Sequence, residues 1–298
     1  MVSAPHPSQV KAGKIAARIL DEVCGEVKPG MKVASICSRV ESMTVELGAR
    51  PAFPCNVSIN QVAAHYTSPR RDNSLIPDFG LVKVDMGAHV DGYLVDTART
   101  VDIDGSLEGF VTATDDALSE AIKLMRPDMS VGEIGRKIEE VIGAYGLRPV
   151  RELTGHSLDR YKLHGGKQIP NFGSRDSTKI EAGECFAVEP FATSGTHVGD
   201  SKAVYIFSNT GVDRPLSGVT EKLRIHLRKR YGPLPFASRW IGTEEKSIDV
   251  VAELEKLLKA KAIHGYPVLV EKTGRPVSQT EDTVFVSEDG PVVLTRSG

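Results

Sequence analysis

Two aspartates, Asp85 and Asp96, flank an Asp91-Gly92 dipeptide in the run LVKVDMGAHVDGYLVDTARTV. Asp-Gly between two apolar runs signals a two-residue hairpin turn. With that loop, Val90 faces Tyr93, and counting back along the ladder sets Gly87 opposite Asp96. Asp85 then shares a sheet face with Asp96 and lies diagonal to it, roughly 7 Å away at the backbone. Carboxylates that close repel unless something positive sits between them, and Gly87 is expected to leave room for it. A pair of divalent ions about 3.5–4 Å apart fits such a space. A surface hairpin with acidic decoration is the plain alternative. The apolar flanks of both strands argue instead for a sheet that is at least half buried.

The 298 residues suffice for one large domain or two smaller ones. A net charge of −2 gives no reason to expect specific nucleic acid or an anionic membrane as partner. No run approaches the ~20 apolar residues of a membrane span, and MVSAPHPSQVKAGK lacks the apolar core of a signal peptide. Cys24, Cys37, Cys55 and Cys185 form no close pair. They suggest a reducing cytoplasm rather than a disulfide framework or a structural zinc site.

Residues 8–27 carry apolar positions at helical spacing, stopped by Pro29-Gly30, and a second helix reads from about Val33 to Leu47. VKPGMKVASICSRVESMTVELGARP (27–51) then aligns without gaps on MRPDMSVGEIGRKIEEVIGAYGLRP (125–149), at a constant offset of 98. Pro29/Pro127, Met31/Met129, Val33/Val131, Ile36/Ile134, Glu41/Glu139, Gly48/Gly146 and Pro51/Pro149 are identical across it. A further amphipathic helix precedes each copy, the later one over about 108–125. Internal duplication follows, and with it a pseudo-twofold fold whose halves each pair two helices with strands. Strands are expected over 181–192, 198–208, 266–272 and 281–295, the last with an Asp289-Gly290 turn. Residues 212–263 break the pattern. They are dense in charge, predicted to be helical and interrupted by Pro233 and Pro235. They read as a subdomain inserted in a single 1–298 catalytic domain. Their basic run Lys222–Arg230 reads as a solvated helix face, since acidic residues follow closely.

Three more clusters carry chemistry: AAHYTSP with His65, TGHSLDRYKLHGG with His156 and His164, and FAVEPFA with Glu189 inside an apolar strand. Glu281 repeats that situation at the head of TVFV. A buried carboxylate is costly without a partner. Each group alone has a bland reading: a hydrogen-bonded structural histidine, or an exposed strand-end glutamate. Together they form an oxygen-rich set with one imidazole, which suits Mn, Fe, Co or Zn in a catalytic pair. Four carboxylates also offset two divalent cations, so the cluster can be buried near neutrality.

In order and context, SINQVAAHYTSP, VDMGAHVDGYLVDTARTV, TGHSLDRYKLHGGKQIPN, AVEPFATSG and QTEDTVFV resemble the type II methionine aminopeptidases in their short archaeal-like form. The similarity spans nearly the whole chain, and an insert at 212–263 is what marks type II. The resemblance implies the α+β pita-bread fold and removal of the initiator methionine from nascent proteins when the next residue is small. It implies two divalent ions, with Asp85 holding one by both oxygens, Asp96 and Glu281 bridging, and His156 and Glu189 completing the second. His65 matches the histidine near the scissile amide, and His164 the one contacting the substrate carbonyl. Phe53 and Tyr266 fall where the methionine pocket is lined. The implied partners are N-terminal peptides of nascent proteins, acted on by a cytoplasmic monomer; contact with the ribosome is left open. Arg99 stands where a hydrophobic residue is common. Its strand parity is opposite to that of Asp96, so it should point away from the metals and leave the chemistry intact.

Two other readings compete. A proline-specific or creatine-cleaving hydrolase of the same fold usually carries an extra N-terminal domain, whereas here the first helix starts by about residue 8. A non-catalytic binding protein on this fold loses metal ligands, whereas this chain keeps all five. Fold alone does not separate these.

Overall fold

The computed structural model describes residues 4–242 and 249–297, so residues 243–248 of the expected insert lie outside the described residues. Helix α1 (Pro7–Glu26) opens with Pro7 in its first turn and His6 Nδ1 accepting from Ser8 N–H at 3.2 Å. Its apolar positions Ala12, Ile15, Ala16, Ile19, Leu20 and Val23 recur at helical spacing and are all buried. Each large aliphatic side chain buried this way contributes roughly 1.5–3 kcal/mol relative to exposure. They pack on the hairpin formed by strands Leu81–Val90 and Tyr93–Asp102. Helix α2 (Val33–Glu46) closes the same core with Val33, Ile36, Cys37 and Val40.

The second half repeats this plan. Helix α3 (Glu108–Lys123) and helix α4 (Val131–Ala144) cover a core that includes Ile169, Phe186, Val188, Val284 and Val286. The bounds of α2 and α4 differ by 98 at both ends, and so do those of strands Asn56–Ile59 and Thr154–Ser157. The hydrogen bonds agree as well. Met31 O accepts from Ile76 N–H at 2.8 Å, and Met129 O from Ile180 N–H at 3.0 Å. Gly30 and its counterpart Asp128 both take positive φ, 78° and 68°, and both donate to the partner isoleucine's carbonyl. A non-glycine residue in that region is uncommon, so the shared conformation marks a retained turn rather than generic helix punctuation.

The hairpin follows its expected register, with Val90 opposite Tyr93, Gly87 opposite Asp96 and Asp85 opposite Ala98. Asp91 and Gly92 have φ of 51° and 83°, as the two-residue turn requires. Three strand expectations need correction. The 181–192 strand is two, Cys185–Val188 and Phe191–Thr193, because Pro190 has no N–H to continue a ladder. The final hairpin turns at Glu288-Asp289, with Gly290 already paired to Ser287. The strand expected at 266–272 spans Ile263–Glu271, so it takes in the last residue of the expected insert.

Between residues 212 and 263 lie helix α5 (Gly218–Tyr231) and helix α6 (Val250–Lys259). Leu223, Leu227, Leu254 and Leu257 give them a core of their own with Phe207 and Phe236. Lys222, Lys229 and Arg230 are exposed on α5, but Arg224 is buried and paired with Asp213 and Glu221. Arg239 fastens this segment to the body through Glu41 and Ser68 O. The two halves meet where Ala98 and Glu281 exchange backbone hydrogen bonds and Thr283 Oγ1 bonds both Asp96 N and Asp96 O at 2.7 Å.

Candidate metal centre

All nine side chains singled out in the sequence line one cavity of about 270 Å³. Asp85 and Asp96 come from the first-half hairpin, on one face as their parity requires. His156 comes from strand Thr154–Ser157, Glu189 from the break between two strands, and Glu281 from the residue before strand Asp282–Ser287. Asp96, His156 and Glu281 form the tightest group, with one ligand atom of each within 4.8 Å of the others. His156 Nε2 is 3.6 Å from both Asp96 Oδ2 and Glu189 Oε1. That is too long for a hydrogen bond and close to the spacing of two atoms that share one ion at about 2.1 Å. Asp85 Oδ2 accepts from Asn56 Nδ2 at 3.3 Å, and Glu281 Oε2 from Gln279 Nε2 at 3.3 Å.

The electrostatics are those of a site built for cations. Burial pushes the Asp85 carboxyl up to about 7. Burial and then the charge of Asp85 push Asp96 well above the usual range, and burial with Asp96 and Asp85 does the same to Glu189. Glu281 is raised likewise, by burial and then by Asp96 and Glu189. Burial, helped by His164, pushes His156 down to about 3, so its imidazole is neutral. Asp85 Oδ1, Asp96 Oδ1, Glu281 Oε1 and His156 Nδ1 are buried without a hydrogen-bond partner among the described residues. Buried polar atoms are rarely left so. Orphaned carboxylate oxygens facing a neutral imidazole fit divalent cations, and an oxygen-rich set with one nitrogen is right for Mn, Fe, Co or Zn.

His65 takes positive φ, 66°, directly after strand Val62–Ala64, and its Nδ1 is 3.1 Å from Pro267 O. A carbonyl only accepts, so Nδ1 carries the proton and Nε2 is the free nitrogen. Burial lowers the pKa of both His65 and His164, whose ring lies 4.4 Å from that of His156. The apolar part of the cavity is lined by Phe53, Leu163, Ile206, Pro235 and Tyr266. Tyr266 is edge-on to His65, and its hydroxyl lies 3.1 Å from Ser208 Oγ.

One expectation fails here. The space over Gly87 does not hold the ions: a Cβ there would lie 2.3 Å from Phe53 Cε1, so the missing side chain makes room for the aromatic ring. Arg99 does not line the cavity, in keeping with its parity, and its guanidinium donates to the backbone carbonyl of Glu281 at 2.6 Å. Sequence reading also passed over Asn56 and Gln279, which steady two of the carboxylates, and Pro235, which the 212–263 segment contributes to the cavity wall. The ladder pairing of Asn56 with Asp85 was the signal for the first; nothing local announced the others.

Residues 9–222 match metallopeptidase family M24. The methionine aminopeptidase of Methanothermobacter thermautotrophicus is 44% identical over 97% of this chain and 98% of its own length. The solved structure of a thermophilic Arx1 superposes with a TM-score of 0.84 at 19% identity, covering 99% of this chain and 92% of that one. The methionine aminopeptidase of Thermotoga maritima superposes with a TM-score of 0.71 at 21% identity over the full length of both chains. At such identities the two superpositions speak for the fold alone, the α+β pita-bread arrangement. With the sequence relationship beside them, the chain belongs to metallopeptidase family M24, among its methionine aminopeptidases.

Proposed function

We propose that the protein is a metal-dependent aminopeptidase that removes the N-terminal methionine of newly made polypeptides when the next residue is small. The observation that carries this reading is the convergence of four carboxylates and His156 on one cavity, with an oxygen on each of Asp85, Asp96 and Glu281 that no group among the described residues satisfies. Asp85, Asp96, His156, Glu189 and Glu281 would hold two divalent ions, with Asp96 and Glu281 shared between them. When bound, such ions supply Lewis-acid polarisation of the scissile carbonyl.

The remaining roles belong to the chain's own groups. His65, fixed by Pro267 O, keeps Nε2 free to accept the N–H of the scissile amide and to steady the leaving nitrogen. Neutral His164 holds the substrate carbonyl oxygen by hydrogen bonding. Phe53 and Tyr266, with Leu163, Ile206 and Pro235, take the unbranched methionine side chain. An apolar pocket discriminates by only about 1–3 kcal/mol per methylene, so leucine should be removed slowly rather than excluded. The four free thiols are in keeping with a reducing, cytoplasmic place of action.

Metal analysis of the reconstituted protein, run beside cleavage of Met-Ala-Ser and Met-Trp-Ser peptides, tests the reading. Two ions per chain and a strong preference for Met-Ala-Ser are expected. Failure to take up divalent metal, or equal cleavage of both peptides, would sink it.

A further inference from the structure

Glu281 is held from behind. Its carboxyl group faces the cavity, while its backbone carbonyl accepts from Arg99 Nη1 at 2.6 Å, Thr97 Oγ1 at 2.8 Å and Ala98 N–H at 3.3 Å. Three donors on one carbonyl exceed its two lone pairs. The other arm of the same guanidinium, Nη2, donates to Asp282 Oδ1 at 2.8 Å. Asp282 is fully buried and also accepts from Thr295 Oγ1 at 3.0 Å and Arg296 Nε at 2.6 Å. One side chain thus spans the strand that carries Asp96, the backbone of Glu281 and, through Asp282, the last stretch of the chain. Arg99 cannot be a ligand, because its parity turns it to the opposite sheet face from Asp96.

We propose that Arg99 is a positioning residue for the metal centre: its guanidinium locks the Glu281 backbone so that the carboxylate is presented in place before any ion arrives. Four carboxylates share a small buried cavity, and mutual repulsion favours any motion that swings one of them out. Glu281 precedes its strand instead of lying within it, so its backbone is fixed by contacts outside that strand's ladder. A planar fork with two arms on adjacent residues resists that motion in a way a single ammonium does not. The competing account is that Arg99 only neutralises buried Asp282.

The proposal rests on the reading of Glu281 as a ligand, so Glu281→Gln is measured alongside. Metal-free full-length protein is titrated with Mn²⁺ by calorimetry, and its melting temperature is recorded separately. Arg99→Met is expected to weaken Mn²⁺ binding by about 10–100-fold, the range typical of residues that orient metal ligands. Arg99→Lys should recover only part of the loss. Arg99→Met with Asp282→Asn removes both charges, so the melting temperature should rise towards wild type while the affinity stays weak. This pair also serves if Arg99→Met alone does not fold. Wild-type affinity in Arg99→Met, or affinity that returns with melting temperature in the pair, overturns the positioning role and leaves charge neutralisation. Unchanged affinity in Glu281→Gln overturns the ligand reading itself, and the proposal with it.

Discussion

Asn56 stands directly opposite Asp85 in the ladder, and its side-chain amide donates to Asp85 Oδ2 over 3.3 Å. Asn56 is itself buried and lines the cavity. The bond leaves Asp85 Oδ1 without a partner among the described residues and fixes the direction in which it points. Asn56→Ala should therefore weaken divalent metal binding by about 10–100-fold, as loss of a ligand's hydrogen-bond partner typically does. Competition with a calibrated chelator measures it, and an unaltered affinity would show that Asp85 needs no such support.

The contact between Gly87 and Phe53 predicts a specific kind of damage. A methyl group at Gly87 overlaps the ring, so Gly87→Ala must push Phe53 out of its place. Overpacking of this sort costs about 1–3 kcal/mol. The melting temperature should drop, and KM for a Met-Ala-Ser peptide should rise more than kcat falls. Adding Phe53→Leu should restore stability. A fall in kcat alone, with KM unmoved, would place Gly87 nearer the chemistry than its neighbours suggest.

His65 offers a test of the proposed mechanism. Removing a positioned proton-transfer or hydrogen-bonding group typically costs 10²–10⁴-fold in rate. His65→Ala should lower kcat by that order and still bind its full complement of metal, since Nδ1 is engaged by Pro267 O and not by a carboxylate. If His65 merely anchors its loop, the variant will melt earlier yet turn over normally when folded. Metal content, melting temperature and kcat from one preparation separate the two.

Glu271 is expected to govern part of the acid stability. Burial alone raises its pKa, but the N–H groups of Arg275, Thr196 and His197 and the Thr273 hydroxyl outweigh that and hold it at about 2. A pKa below the unfolded value, about 4.3, stabilises the fold fully above that value. The contribution is lost as pH falls from roughly 5 through 2. Glu271→Gln should thus cost on the order of 2–3 kcal/mol at pH 7, with the gap to wild type narrowing as pH drops towards 3. Urea unfolding at several pH values reads this directly, and a gap independent of pH would argue for a steric cause.

The segment between 212 and 263 holds none of the proposed ligands, and Lys229 and Arg230 are exposed on α5. Reversing both charges should leave turnover of a short peptide within about a factor of three, because exposed substitutions usually cost under ~0.5 kcal/mol. Collapse of activity in a folded variant would assign this face a role in the chemistry.

Much of the site is local and so was legible. A two-residue Asp-Gly turn sets the ladder, the ladder has period two, and together they put Asp85 and Asp96 on one face whatever the rest of the chain does. The repeat at an offset of 98 likewise announced two alike halves, because helix caps and turns with positive φ are written in a few adjacent residues. What brings His156, Glu189 and Glu281 to that face is not local. It depends on the second half docking on the first through the Ala98–Glu281 bridge and Thr283, contacts that span more than 180 residues. Glu189 and Glu281 stood out as carboxylates in apolar runs and His156 as a histidine in a Gly-rich stretch, but the resemblance to a known family supplied their individual roles as ligands. Parity told which way Arg99 turns but not what it meets, since its partners Glu281 and Asp282 lie 182 and 183 positions later in the chain. Gly87 shows the same limit: an absent side chain declares a space, and only the packed neighbour, here Phe53, decides what fills it.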